Sequence, residues 1–461
     1  MPLSPELLIA LVLLVPLAGG AFALVVPADD RLTLRAVGVF TGLLALLPGL
    51  LLLQSSDETA TLVLPFATLR FSGVGVPAAL VILGVTPMAL RAGAPRVTSG
   101  LPAYVTAILL AESGALLVVL VDDLVTATAA AMVAAVPFFA LVALFGGPER
   151  GSVTLRAASL WLLLDAAALA ALVLVGDGRA SHPVVIVALL GPGLARLAAG
   201  PHGLWALPVL EQSPVAAACL MGGLVAPVGA VLLCRSVAVV DVAALATLVP
   251  LLAGVLAVGC AIGCALVVAE RDLRRMVAHL LGALGAVTAL VAVCGSGSPS
   301  THVGAVGLAA LTGFTASLCL MVVEAVERRL ETRRITELSG LLQLSPSLAL
   351  LLPVSFWCLC GLPGPGIAVA LWPALAGLMG GTVGAGAETG AAAVVCGASL
   401  LLAAIGASGL LVRVGGRPRK GLVQIVSVSL RQGIRLLLPV AAVVAASLAH
   451  GGVLRAALEA L

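Results

Sequence analysis

Residues 200–214 read Gly200-Pro201-His202-Gly203-Leu204-Trp205-Ala206-Leu207-Pro208-Val209-Leu210-Glu211-Gln212-Ser213-Pro214. Proline lacks an amide donor and clashes with the turn before it. Glycine adopts backbone conformations that other residues avoid. An apolar helix arriving from residue 183 therefore has to stop near Gly200. A second stretch does the same: Gly361-Leu362-Pro363-Gly364-Pro365-Gly366. Backbone groups freed at membrane depth must be buried in protein or line a cavity. Two helices broken inside a membrane are the expectation that decides the fold. The plainer alternative is a pair of unrelated proline kinks.

The surroundings make a membrane the only reasonable solvent. Of 461 residues, 61% are hydrophobic and 10% are charged, whereas a soluble domain carries about 25% charge. A spanning helix needs about 20 apolar residues, so fourteen would use nearly the whole apolar stock. This excludes a soluble enzyme, a disordered chain and a nucleic-acid binder. The net charge of +3 gives no strong field to steer a charged partner. The first apolar run, Leu7 to Val26, follows Glu6 and no basic segment, and reads as a retained helix rather than a cleaved signal. The nine cysteines lie in or beside apolar runs with no CxxC pair, and read as small packing residues. No metal site or cofactor is expected.

Apolar runs lie near residues 7–26, 34–53, 74–90, 104–121, 124–145, 155–175, 183–199, 214–234, 240–269, 277–294, 303–323, 347–371, 389–412 and 436–450. The expected fold is an all-α polytopic membrane protein with about fourteen spans. The breaks fall in the seventh and twelfth runs. That offset of five is odd, so the second unit would be inverted relative to the first, and inverted repeats with paired broken helices mark transporters. The expected organisation is helices 1–3 over residues 1–100, a first repeat (helices 4–8) over 101–235, a second (helices 9–13) over 236–412, and a basic loop with helix 14 over 413–461. Lys and Arg favour cytoplasmic loops. With fourteen spans, only Arg70, Arg179, Arg235 and Arg455 fall on one side, while most other basic residues fall on the opposite side. Both termini are then expected in the periplasm of a bacterial inner membrane, and the lipid bilayer is the first partner.

Ionisable groups inside a span are functional candidates by default. Three qualify: Asp165 in the sixth run, Arg196 just before the first break, and Glu112 in the fourth run. Asp165 can avoid the cost of burial by protonating or by pairing with Arg196 across the hairpin of runs six and seven. It is part of a static ion pair, a proton relay, or buried without a partner. Glu112 is expected to reach a polar neighbour or the bundle interior. The only lysine, Lys420, lies in a loop. Arginine stays charged under essentially all conditions, so Arg196 can hold an anion but cannot carry a proton. His202 and His279 read as interfacial residues. The stretch Glu270 to His279 reads as an anchor, and Glu324 to Glu337 as a solvated helix face.

Several stretches together resemble one family, the antiporter-like membrane subunits of respiratory NADH–quinone oxidoreductase (complex I), shared with Mrp-type antiporters and membrane-bound hydrogenases. Asp272-Leu273-Arg274-Arg275-Met276-Val277-Ala278-His279 is similar to the family's DLKRLLAYSS. The 201–214 stretch resembles PFHxWxPDxxEGAP, with Pro201, Trp205, Glu211 and Pro214 in register. Gly361 to Gly364 resembles the GLPG break, and Asp123-Leu124 the start of the fifth helix. The resemblance covers nearly the whole chain. It implies fourteen spans, periplasmic termini and partner membrane subunits.

The departures concern the proton path. The family's fifth-helix glutamate falls on Met132, its seventh-helix lysine on Arg196 and its eighth-helix lysine on Pro227. The ionisable residue after the second break falls on Leu371, the HxxxK pair on Leu311 and Thr315, and the sixth-helix lysine near Leu160. The resemblance then implies a degenerate member, structural or a modified conduit, without a catalytic or redox centre of its own. Two other functions stay open: an independent transporter or channel with a site at the two breaks, and the membrane partner of an inorganic-carbon uptake system.

Overall fold

The computed structural model describes residues 4–54, 60–65, 67–71, 73–179, 181–295, 299–362, 367–379 and 387–416. Pro363, Gly364, Pro365 and Gly366 of the second break, the run at 436–450 and Lys420 lie outside the described residues.

The helices are α1 (Pro5–Val25), α2 (Arg31–Gln54), α3 (Gly75–Gly93), α4 (Leu101–Leu120), α5 (Leu124–Phe145), α6 (Arg150–Gly176), α7 (Pro183–Arg196), α8 (Ala206–Gln212), α9 (Val215–Leu220), α10 (Ala226–Val239), α11 (Val242–Ala269), α12 (Leu273–Cys294), α13 (Pro299–Leu330), α14 (Leu341–Leu344), α15 (Pro346–Leu359), α16 (Ala368–Met379) and α17 (Ala387–Val414). A π turn, Met221–Val225, joins α9 to α10 in one continuous span. Among the described residues, eleven helices are long and apolar enough to cross a membrane, and three shorter apolar ones, α7, α15 and α16, form the broken elements. The chain is a multi-pass helical membrane protein.

Aspartates set several helix starts. Asp123 accepts from Thr126 N at 2.8 Å, Asp241 from Ala243 N at 3.1 Å and Asp272 from Arg274 N at 2.9 Å. Each satisfies an amide that no helical turn can reach. Asp30 does the same for Thr33 at the start of α2, and those bonds hold its carboxyl below the usual range.

The core is built from α9–α10, α12, α13 and α4, whose residues are almost all buried. The outer helices α1, α2, α6, α11 and α17 turn leucine, valine and isoleucine outward, as at Leu163, Val173, Leu251, Val258 and Ile405. One departure from an all-helical chain is a hairpin of β1 (Ala60–Leu64) and β2 (Ala67–Phe71), antiparallel with Ala60 opposite Phe71. Leu69 bridges to Val121 beyond α4, so the hairpin closes the end of the bundle away from the arginine-rich loops.

Both breaks are helix interruptions, as the proline and glycine pattern requires. The seventh run was expected to remain helical to residue 199, but α7 ends at Arg196, with Ala198 at φ 54° and Gly200 at φ 58°. A 3-10 turn, Gly200–Trp205, leads into α8. The backbone of α12 approaches closely at Gly285, where a Cβ would overlap the Leu197 carbonyl oxygen. The twelfth run, expected over 347–371, ends its first half at Leu359, passes Gly361 at φ 75°, and resumes as α16 as far as Met379.

Candidate functional site

The residue that ends α7, Arg196, faces Asp165 from the middle of α6. Its Nη1 donates to Asp165 Oδ1 and its Nη2 to Oδ2, both at 2.7 Å. The same nitrogens donate to Pro192 O and Ala131 O, both at 3.3 Å. The two side chains are 2% and 1% exposed. The guanidinium carbon lies 4.7 Å from the centroid of the Trp161 ring. Trp161 stacks on Phe138 at 5.9 Å and meets Trp205 edge-on at 4.8 Å. Trp205 in turn donates its indole N–H at 2.8 Å to Ala195 O, a carbonyl at the end of α7 that also accepts from the Ala198 amide at 2.9 Å. The charge is therefore matched by a bidentate carboxylate, carbonyls and an aromatic face, the arrangement that suits a buried guanidinium. Beside it is a void of about 20 Å³ lined mainly by Ala115, Ala131, Ala134, Phe138 and Val228. That is room for about one water, but apart from Arg196, whose terminal nitrogens are already engaged, its walls are mainly apolar and offer few partners.

Glu112 is separate from this pair. It is fully buried on α4, and neither carboxylate oxygen has a hydrogen-bond partner. Thr86 is its polar neighbour, but the Thr86 hydroxyl donates to Ile82 O at 2.9 Å. The sequence places Asp165, Arg196 and Glu112 all inside spans; the fold brings the first two together and leaves the third apart.

The arginine-rich end holds residues that the sequence reading misplaced. Glu324, expected on a solvated face, is 3% exposed. It binds Arg96, Arg274 at 3.1 Å and Arg328 at 3.2 Å. Arg274, expected in a simple anchor, is buried, and its Nη1 donates to Ser213 O at 2.9 Å. Glu211 pairs with Arg275 at 3.1 Å and Arg333 at 3.4 Å. His279 lies 3.6 Å from Glu270. The end of α8, which follows the break, is thus fastened through charge to α12 and to the segment just beyond α13. The spacing of Glu324 and Arg328, four apart on one helix, was the available signal, but that spacing also fits an exposed face.

The model of a family described as NADH:quinone oxidoreductase/Mrp antiporter, transmembrane, matches residues 151–400, more than half of the chain. The chain belongs to this family. Solved structures share the fold of this antiporter-type chain. One is a chain of respiratory complex I from Thermus thermophilus with bound NADH, at 20% identity and a TM-score of 0.79, covering 98% of each chain. Another is a chain of the membrane-bound sulfane sulfur reductase, an archaeal respiratory membrane complex, at 16% identity and a TM-score of 0.79, covering 98% of this chain and 96% of that one. No curated protein matches in sequence.

Within this antiporter-type fold, the positions named from the resemblance sit as follows. Met132 is half-buried on α5, one residue from the Ala131 carbonyl that Arg196 uses. Pro227 is buried just past the π turn, and Leu371 is buried on α16 against Gly361. Thr315 is buried on α13 with its hydroxyl unpartnered, and Leu311 is buried one turn away. Among the described residues, no group of three or more His, Cys, Asp or Glu is placed to hold a metal ion.

Proposed function

We infer that this antiporter-type chain is a membrane-arm subunit of a complex-I-like, ion-translocating assembly, in which the usual Lys/Glu proton path is largely lost. Its role there is structural, or that of a modified conduit, and it contributes no redox centre. Other membrane subunits and lipid surround it. The arginine-rich end faces the cytoplasm of a bacterial inner membrane, which puts both termini in the periplasm. Residues 101–235 and 236–412 act as two inverted units, each with one broken helix.

The observation that carries this reading is the closed Arg196–Asp165 pair. The resemblance puts a titratable lysine where Arg196 stands, and arginine does not release its proton. Both carboxylate oxygens and both terminal nitrogens are already engaged. A conduction station must exchange its proton and change partners. This pair does neither without leaving a buried charge unmatched.

The test is proton translocation by the assembled, reconstituted complex carrying Asp165→Asn, and separately Arg196→Ala. Both are expected to translocate at the unmodified rate once assembled. Normal assembly with translocation abolished would overturn the reading.

A further inference from the structure

Glu112 sits near the middle of α4 and is fully buried, and neither of its carboxylate oxygens receives a hydrogen bond among the described residues. The arginines buried within the bundle are spent elsewhere. Arg196 gives its terminal nitrogens to Asp165, Pro192 O and Ala131 O. Arg235 gives its own to the Val118 and Val119 carbonyls, at 2.7 and 2.8 Å. Two other hydroxyls on α4 are also committed: Thr106 donates to Gly20 O at 2.9 Å, and Ser113 to Leu109 O at 3.0 Å. The polar side chain beside Glu112 is Thr86 of α3, itself fully buried. A threonine hydroxyl has one hydrogen to give, and that of Thr86 goes to Ile82 O at 2.9 Å. Toward Glu112, then, Thr86 acts as an acceptor.

We propose that Glu112 is a proton-binding site, standing at neutral pH as a neutral carboxylic acid whose O–H donates to Thr86 Oγ1. The hydrogen-bond inventory points to this form. An ionised carboxylate only accepts, so it and Thr86 would face each other with no hydrogen between them. A buried charge without a partner is costly enough that a titratable group neutralises instead. At the bilayer centre that charge carries a further insertion cost. The neutral acid needs no counter-charge. It completes a chain from Glu112 O–H to Thr86 Oγ1 and from Thr86 O–H to Ile82 O, which joins α4 to α3. Turning the Thr86 hydroxyl toward an ionised Glu112 would supply one bond and leave the other oxygen and the charge unmatched. The ligand of the site is a proton. The inference is independent of the reading given to Arg196 and Asp165, because the two sites share no residue.

The experiment uses the full chain with whatever membrane subunits copurify. The infrared difference at pH 7 between the unmodified protein and Glu112→Gln is expected to show the carbonyl stretch of an un-ionised acid, sensitive to exchange into deuterium oxide. Glu112→Leu serves the same subtraction where the amide variant does not assemble. Thr86→Val, which removes the acceptor, is expected to keep that stretch but shift its frequency. Stability gives a second readout. A proton held by the folded chain and released on unfolding makes folding less favourable as pH rises, by about tenfold in the equilibrium constant per pH unit. Unfolding in mixed micelles should show this excess slope around neutral pH in the unmodified protein and not in Glu112→Gln. Carboxylate bands in the difference spectrum would overturn the proposal, and so would equal slopes. A third arm compares sodium with N-methylglucamine at constant ionic strength. A midpoint that rises with sodium in the unmodified protein but not in Glu112→Gln would mean an ionised group holding a metal cation, and would also overturn it.

Discussion

The two breaks solve one backbone problem with different chemistry around it. At the first, an indole N–H from Trp205 takes the Ala195 carbonyl at 2.8 Å; at the second, Trp372 takes the Gly361 carbonyl at 2.6 Å. In each, the tryptophan comes from the far side of the interruption and reaches back across it. There the likeness ends. The first break is bordered by Arg196, Asp165 and the Trp161 face. The second is bordered by Leu371, Phe356 and the buried thiol of Cys360. The backbone repair is therefore separable from the charge. Interrupting a helix within the bundle does not require an ion; the ion at the first break is a separate commitment.

Removing half of that commitment should have the largest effect. Arg196→Ala leaves Asp165 buried beside apolar alanines and an aromatic cluster, with its two hydrogen-bond donors gone. Breaking one side of a buried pair costs about 3–5 kcal/mol. Arg196→Ala should lower the denaturant midpoint of the solubilised chain sharply, and the Arg196→Met/Asp165→Leu double variant should recover most of that loss. If the double variant is as unstable as the single one, the ion pair is not a replaceable unit, and the separation of charge from backbone repair fails.

A smaller loss is expected where α12 presses on the first break. Gly285 lies against the Leu197 carbonyl with no room for a Cβ. Gly285→Ala should force the helices apart and cost about 1–3 kcal/mol, as overpacking does. Gly304, on α13 with open space at its Cβ position, is the control. Gly304→Ala should be neutral or slightly stabilising, since alanine favours a helix by about 0.5–1 kcal/mol over glycine. Equal thermal midpoints for the two variants would mean that the first break is not held by close backbone contact.

The breaks were legible because glycine and proline cluster there, as at Gly200-Pro201 and from Gly361, whereas single prolines such as Pro137 and Pro250 stay inside continuous helices. The spans were legible because a long apolar run has few other fates. The pairing of Asp165 with Arg196 could be entertained but not decided, since it depends on the rotation of α6 against α7. Trp161, which carries the guanidinium on its face, gave no signal at all; in sequence it is one more apolar residue in an apolar run. The arginine-rich end misled for the opposite reason. Charged residues at helix ends usually face water, and only the tertiary approach of α3, α12 and α13 buries Glu324 and Arg274. The hairpin at 60–71 escaped notice because its strands are short and lie between longer apolar runs.

The finest comparison is between the two tryptophans themselves. Trp205 is buried, whereas Trp372 is partly exposed. Trp205→Phe keeps an aromatic ring near Trp161 but removes one of two bonds to the Ala195 carbonyl, which still accepts from the Ala198 amide at 2.9 Å, and leaves a void where the buried indole packed. Trp372→Phe strands the Gly361 carbonyl at a site closer to the outer surface, and a typical net hydrogen bond there is worth about 0.5–1.5 kcal/mol. Because the Trp205 indole is buried in the aromatic cluster and the Trp372 indole is partly exposed, chemical unfolding of the two variants side by side should rank Trp205→Phe as the more damaging, by about a kilocalorie per mole. A larger loss for Trp372→Phe would mean that the apolar break depends on its indole more than the charged one does. The cause would then lie in the surroundings: at the first break Arg196, anchored to Pro192 and Ala131 carbonyls on either side, would be holding α7 in place without help from the indole.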